Sequence, residues 1–324
     1  MNVADVITEF GAYYIAQGQN ESRIVRTLRD RSVTEELFTS RITDDTVYRA
    51  TRAQIDRLLQ PFQKGWTPIG TLEFTPIAIT QYPIKMDFEE YPDELEATWL
   101  GFLADNNLSR AEWPFVRWLI EKEILPQMHE DFENNEVFDG VYAAPTPGTA
   151  GAAGTAINGI KTIRNAHIAG GRITPITMGA FPAAPSGDKS VEYLVCEYFE
   201  DFADQINDKY WGLPMEIACS PLRHRQFLRG YAAKYGTHAD YTKNTNAAVD
   251  FTNLRLRGLP SHRGAEIIWC TPKENAIRLM KKSVNENRVE VEGEDRKVKI
   301  WTDFYKGIDF LIPEIVFTND LETV

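Results

Sequence analysis

The stretch Gly154–Thr162 reads GTAINGIKT, one residue away from the GxxxxGK[ST] loop that cradles nucleotide phosphates with backbone N–H groups and a lysine. Ile160 intervenes between Gly159 and Lys161 and displaces the lysine from the place where it would meet the phosphates. No buried strand precedes the loop, so nucleotide binding is not expected. Cys219 and His224 offer a thiol and an imidazole, but a catalytic pair also needs an orienting acid and an oxyanion hole, and the sequence marks neither. Cys219 reads as a core residue. The carboxylates Glu89, Glu90, Asp93 and Glu94 lie in a proline-containing loop, whereas acid–base work needs a cleft and shifted pKa values; a solvated loop is the expectation. Arg223, His224, Arg225, Arg229 and Lys234 place positive charge along one helical segment, which fits a solvated or subunit-facing helix better than a nucleic-acid surface.

Cys196, Cys219 and Cys270 stand far apart, and their odd number cannot form a closed disulfide set, so they are expected to be reduced and buried. The five histidines show no spacing that would set two on one helix face, and no metal or other cofactor is expected. What chemistry-bearing residues the chain holds are scattered, and no catalytic site emerges from them.

The 324 residues allow about two domains or one with long excursions, and 43% hydrophobic with 25% charged residues describes a folding chain. No apolar run reaches the roughly 18 to 20 residues of a membrane helix, and the start MNVADVITEFGAYY lacks a basic segment followed by an apolar core. A chain made and kept in a cytoplasm, with no membrane partner, is expected. The net charge of −12 is concentrated: Met86 to Gly140 holds fifteen Asp or Glu against Arg110, Arg117 and Lys122, leaving the remainder close to neutral. That profile lacks the basic stripe of a sequence-reading nucleic-acid binder and reads as a solvated acidic face.

Residues 1–60 read as an arm, polar with short apolar clusters such as Ile24, Val25 and Leu28. From Trp66 to Phe88, Leu72, Phe74, Ile77, Ile79, Ile84, Met86 and Phe88 alternate with polar residues at the period of a strand. Pro68, Pro76 and Pro83 confine these strands to an edge or a projecting hairpin. Ser109 and Glu112 form a capping-box pattern ahead of a long helix, Trp113, Val116, Ile120, Ile124, Met128 and Phe132 recurring at helical spacing, with a bend expected at Pro126.

The small residues PTPGTAGAAGTAING mark a boundary between lobes. Beyond it, Ser190 precedes an amphipathic helix through Leu194, Val195, Tyr198, Phe202 and Ile206, ending near Trp211. A strand follows over Met215 to Cys219, and Ser220-Pro221 caps a helix that stops at Gly236. Strands are expected over Glu266 to Cys270 and Asn275 to Leu279 around the turn TPKE, with a helix start at Thr271 and Glu274 as the alternative. The end of the chain reads as antiparallel strands with turns at Glu292–Asp295 and Lys306-Gly307.

This order of parts resembles the major capsid proteins of tailed bacteriophages, the Hong Kong 97-like fold also seen in encapsulin shells. The closest wording is LPMEIACSPLRHRQFLRGYAAKYG, continuing through VDFTNLRLRGLPS to IIWCTPKENAIRL, similar to that family's central-lobe pattern of a strand and a helix before a GLP turn and two further strands. The resemblance implies an α+β chain with an N-terminal arm (1–60), an extended loop (61–107), a peripheral domain (108–147 and 284–324) holding a long spine helix, and an axial domain (148–283).

It also implies a structural, non-enzymatic protein of the virion capsid that assembles with itself into pentamers and hexamers of an icosahedral head. Scaffold, portal and other head proteins would be its partners, with packaged DNA held by non-specific proximity. An encapsulin-type compartment shell and a stand-alone α/β enzyme with an apolar pocket are the alternatives. Trp66, Leu72, Phe74, Ile77, Ile79, Ile84 and Met86, an apolar set on a hairpin with little core of its own, are the candidate subunit-interface residues.

Overall fold

A computed structural model of the chain describes residues 33–105, 108–111, 113–236, 247–284 and 289–323. Ile24, Val25 and Leu28 of the expected arm lie outside the described residues, as does Glu112. A 3-10 turn at Thr34–Leu37 leads into β1 (Thr39–Ile42), β2 (Val47–Ile55), β3 (Leu72–Thr80), β4 (Tyr82–Glu90) and α1 (Pro92–Asp105). A helical run then combines α2 (Phe115–Trp118), a π segment (Leu119–Ile124), α3 (Leu125–Asp131) and a second π segment (Phe132–Glu136). The remaining elements are α4 (Ile160–Ala169), α5 (Val191–Asp204), β5 (Met215–Cys219), α6 (Pro221–Tyr235), β6 (Leu254–Gly258), β7 (Trp269–Cys270), β8 (Ala276–Met280), β9 (Glu290–Glu294), β10 (Lys297–Phe310) and β11 (Phe317–Thr318).

Three sheets organise these elements. One five-stranded sheet runs β1-β8-β10-β4, with β9 also on β10; a four-stranded sheet runs β11-β7-β5-β6; β2 and β3 pair only with each other. The four-stranded sheet and α5 and α6 enclose a core of Val195, Phe199, Phe202, Ile217, Phe227 and Ile268. The local signals for this lobe act as expected: Ser190 Oγ accepts from Tyr193 N–H, Ser220 Oγ accepts from Arg223 N–H with Pro221 in the first turn, and α6 ends at Gly236 at φ +55°. Gly230 is where α6 crosses α5, because a Cβ there would stand 1.9 Å from the Glu192 carbonyl oxygen. Of the two readings of TPKE, the turn is adopted, with Asn275 N–H donating to Pro272 O. β8 joins the five-stranded sheet and β11 the four-stranded one, so the chain crosses between lobes twice near its end.

The long helix differs from expectation in its start and its shape. It begins at Phe115, after Pro114, because the residue before a proline is disfavoured in the α region. A π segment ends two residues before Pro126, where the bend is expected. The wider turn spaces the Lys122 carbonyl from the ring that would crowd it in an α-helix. Its inward side, Phe115, Val116, Leu119, Ile120 and Ile124, packs on Trp99 and Leu103 of α1 and on Val298 and Ile300 of β10.

The expected turn at Lys306-Gly307 is absent, and β10 continues through it for fourteen residues. Gly307 serves a close approach instead: a Cβ there would meet the Thr80 carbonyl oxygen at 2.2 Å, where the chain corners from β3 into β4. Gly307→Ala is accordingly expected to cost about 1–3 kcal/mol, read as a lower urea midpoint of the unassembled chain.

Candidate assembly surface

The strands at Leu72–Thr80 and Tyr82–Glu90 do not form the expected hairpin with each other. β3 pairs antiparallel with β2 from Val47↔Thr80 to Ile55↔Leu72, whereas β4 pairs with β10 from Val298↔Glu90 to Lys306↔Tyr82. The projecting element is therefore the β2–β3 ribbon with its tip at 56–71, and β4 is an edge strand of the main sheet. Both placements suit the prolines, since Pro76 lies in a two-stranded ribbon and Pro83 on a sheet edge. Gln81 fixes the corner between them: its N–H donates to Thr46 O at 2.8 Å, and its side-chain amide donates to Asp45 O at 2.8 Å and Thr43 O at 3.1 Å.

The candidate interface residues fall into three groups. Ile84 and Met86, half-buried on β4, pack against the chain's own cores, which corrects their placement on a free hairpin. Ile77 and Ile79 occupy odd positions of β3 and, with Tyr48 across the ribbon, rest on Ile277 and Leu279 of β8; Ile79 is 1% exposed. Leu72 and Phe74 occupy even positions, so they lie on the opposite face. The apolar parity switches at Pro76. The root of the ribbon is docked on its own subunit, and the distal part turns a different apolar face to solvent.

That distal face and the tip form the exposed surface. Phe74 is 60%, Trp66 92% and Phe62 93% exposed, and Ile55, Leu58, Leu59 and Leu72 are exposed as well. Ile55, Leu58 and Leu59 fall within the expected arm, and Phe62 lies just beyond it. The signal that marks them is the run IDRLLQPF, four large apolar residues in a segment with no periodic core face. So many large apolar side chains exposed along one ribbon and its tip mark a candidate interaction site.

The chain just before the ribbon is held by a buried polar relay. Thr34 N–H donates to Glu133 Oε1 at 3.2 Å, its hydroxyl bonds the same carboxylate, and Thr34 Oγ1 lies 2.7 Å from Ser261 Oγ. Ser261 Oγ is 2.9 Å from His262 Nδ1, and Trp269 Nε1–H donates to His262 Nε2 at 2.9 Å. Beside the relay, the buried Glu35 accepts from Lys306 Nζ at 2.8 Å and Arg278 Nη1 at 2.5 Å.

Burial pushes the His262 pKa down to about 3. The folded chain then binds fewer protons than the unfolded one between pH 6.5 and 3, so stability present above the ordinary histidine value is lost as the pH falls through this window. The expected contribution is a loss of about 2 kcal/mol between pH 7 and pH 5. Urea unfolding of the unassembled chain at both values, with and without His262→Gln, should show the difference shrinking by that amount.

Several of the groups singled out for chemistry are engaged elsewhere. Lys161 pairs with Glu322 at 2.6 Å. Arg223 donates to Glu266 at 2.7 Å, and Lys234 pairs with Glu200. All three cysteines are free and buried, with burial raising each thiol, and the Cys219 Sγ contact is to the Arg257 carbonyl.

The acidic block is not uniformly a solvated face. Glu133 is buried, Glu136 accepts from Gly154 and Ala156 N–H groups, and Glu121 pairs with Arg117 at 3.1 Å, whereas Glu123, Glu130 and Asp131 are exposed. A groove of about 660 Å³ beside β6 is bordered by Arg257, which bonds Glu36 and Glu216. Among the described residues no cluster of His, Cys, Asp or Glu could hold a metal ion, and no helix is long and apolar enough to cross a membrane.

Comparison with solved structures places this architecture. A chain in the satellite phage P4 procapsid that includes the size determination (Sid) protein is similar with a TM-score of 0.56 and 12% identity, over 92% of this chain and 89% of that one. A chain in the capsid of Myoviridae phage XM1 is similar with a TM-score of 0.54 and 11% identity, over 89% and 91%. A structure from Mycobacterium phage Che8 gives 0.50 at 9% identity, over 89% and 91%. The chain has the α+β fold of these phage capsid chains, the Hong Kong 97-like fold its sequence resembles. No protein-family model matches the sequence, and no curated protein matches it either.

Proposed function

We propose that this chain is the major capsid protein of a tailed bacteriophage, a structural subunit without catalytic activity that assembles with itself into the icosahedral head around double-stranded DNA. The observation that carries the reading is the distal β2–β3 ribbon, whose exposed Leu72, Phe74, Trp66 and Phe62 have no partner surface within the described subunit, on a fold shared with capsid chains. Each such side chain contributes about 1.5–3 kcal/mol when fully buried, and a contact repeated in every subunit of a closed symmetric shell multiplies the effect.

In this reading the helical run from Phe115 to Glu136 and the five-stranded sheet form the peripheral domain, and the four-stranded sheet with α5 and α6 the axial one. Scaffold, portal and other head proteins complete the assembly in the host cytoplasm. Exposed Glu123, Glu130 and Asp131 would face the packaged DNA and repel it over a screening length of about 8 Å at physiological ionic strength.

Electron micrographs and sedimentation of the purified protein test the reading. Closed shells are the expected result. A mass that stays at one 36.9 kDa chain at high concentration would overturn it, and particles recovered with a protein cargo and no DNA would move the assignment to an encapsulin-type shell.

A further inference from the structure

The two helices that cover the four-stranded sheet carry charges of opposite sign that do not satisfy each other. On α6, Leu222, Arg225 and Arg229 are spaced for one helix face and all three are exposed. Near the end of α5, Asp201 and Asp204 are exposed. Among the described residues none of these four charged groups makes an ion pair, although their neighbours Lys234 and Glu200 do.

Asp204 opens onto a slot of about 260 Å³ whose other walls are Glu200, Trp211, Tyr235, Asp250 and Phe251. The walls are held in place: Trp211 Nε1–H donates to Ile206 O at 2.8 Å, Tyr231 OH donates to Asp250 Oδ1 at 3.2 Å, and Tyr235 OH donates to Glu200 Oε1 at 2.9 Å. Phe251 stands fully in solvent at φ +59°, a backbone region that strains a bulky residue.

Aromatic faces beside carboxylates suit a guanidinium, which stacks on a ring and donates in a plane to carboxylate oxygens. The exposed Leu222 beside the arginines matches the apolar rim of Trp211 and Phe251. Along α6 the stripe runs from Leu222 to Arg229, and the slot adjoins Tyr235, about 9 Å further on at 1.5 Å per residue. One copy can therefore offer its stripe to one neighbour and its slot to another. That is the geometry of a head-to-tail contact, which propagates from copy to copy and closes into a ring when the rotation allows.

We propose that neighbouring copies of this chain dock through these helices, the Leu222–Arg225–Arg229 stripe of one copy seating against the Asp204–Trp211–Phe251 slot of the next. The inference rests on the capsid reading and adds to it a specific contact within the ring of subunits, separate from the ribbon. Nucleic acid is the weaker occupant for the stripe, since two exposed arginines on one helix face make no extended basic track.

Full-length variants test it. Arg225→Glu with Arg229→Glu, and separately Asp201→Lys with Asp204→Lys, should each raise the concentration needed for assembly by roughly tenfold or more, with the melting of the unassembled chain unchanged. All four substitutions in one chain exchange the signs of both faces and should restore assembly to near the original concentration. Phe251→Gly, which removes the strain and the ring together, should raise the melting temperature of the unassembled chain while weakening assembly. Paired variants that assemble like the original chain, or a four-substitution chain no better than either parent, would overturn the contact. An arginine variant that assembles normally but loses bound DNA would overturn it in favour of nucleic acid. An original chain that never leaves the monomer overturns the capsid reading and this contact together, whereas one that assembles beside indifferent variants overturns this contact alone.

Discussion

A chain in which residues 56–71 are replaced by an Asn-Gly turn should melt cooperatively, close to the intact protein, and form no closed shell. Ile55 and Leu72 stand opposite each other at the end of the ribbon, and a two-residue turn between them suits an antiparallel pair. The excised residues include Leu58, Leu59, Phe62 and Trp66, all exposed, so the subunit's own cores lose nothing. A shell contact that buries them loses about 1.5–3 kcal/mol for each side chain fully covered, repeated at every subunit. Calorimetry gives the first half of the result and sedimentation the second; normal particles from the shortened chain would remove the tip from assembly. An excision running on through Phe88 should behave differently and unfold the subunit, because it removes seven of the nine residue pairs between β4 and β10.

Glu35→Ala is expected to lower the stability of the unassembled chain by about 3–5 kcal/mol. The carboxylate is buried with Arg278 and Lys306, and Lys306 also lies 4.1 Å over the Phe132 ring. Removing the anion takes from two buried cations the carboxylate they share. Burial by itself would raise the Glu35 pKa; attraction by Lys306 and Arg278 outweighs it and holds the carboxyl below its ordinary value. The stabilisation it supplies is present above the ordinary carboxylate range and lost as the pH falls through the lower folded value. Urea midpoints at neutral pH measure the loss. Replacing Glu35, Arg278 and Lys306 together by apolar residues of similar volume should cost far less than the single change, because the desolvation penalty of all three charges disappears with them.

Much of the lobe around the four-stranded sheet was legible because its signals are local. Ser190 and Ser220 cap helices wherever the chain leads, Pro221 suits a first turn, and Gly236 ends a helix at positive φ. Strand partners are another matter. The alternation through Leu72, Phe74, Ile77 and Ile79 identified a strand, but its parity changes at Pro76, and only the position of β8 beneath the root explains why. Ile84 and Met86 look like the same apolar set and belong to a different sheet, because pairing is decided by distant residues on β10. Gly307 read as a turn residue since glycine is commonest there; its use against the Thr80 backbone depends on a neighbour more than two hundred residues away. Trp66, Leu72 and Phe74 were found among the exposed candidates, whereas Phe62 was missed because a lone aromatic has no period.

The two π segments have a consequence for the length of the chain. A π turn holds one residue more than an α turn, and the helix on either side keeps its phase. Losing one residue there need not rotate the buried faces out of place. The first segment is constrained, since an α turn over the same stretch would bring the Lys122 carbonyl against the Pro126 ring. No proline follows the second, and its Asn134 is exposed between Glu133, which holds Thr34, and Glu136, which holds Gly154 and Ala156. The chain can therefore shorten by one residue at Asn134 and remain a continuous helix. The same loss within Leu119–Ile124 would break it, so that of the two sites only the later one is open to drift in length.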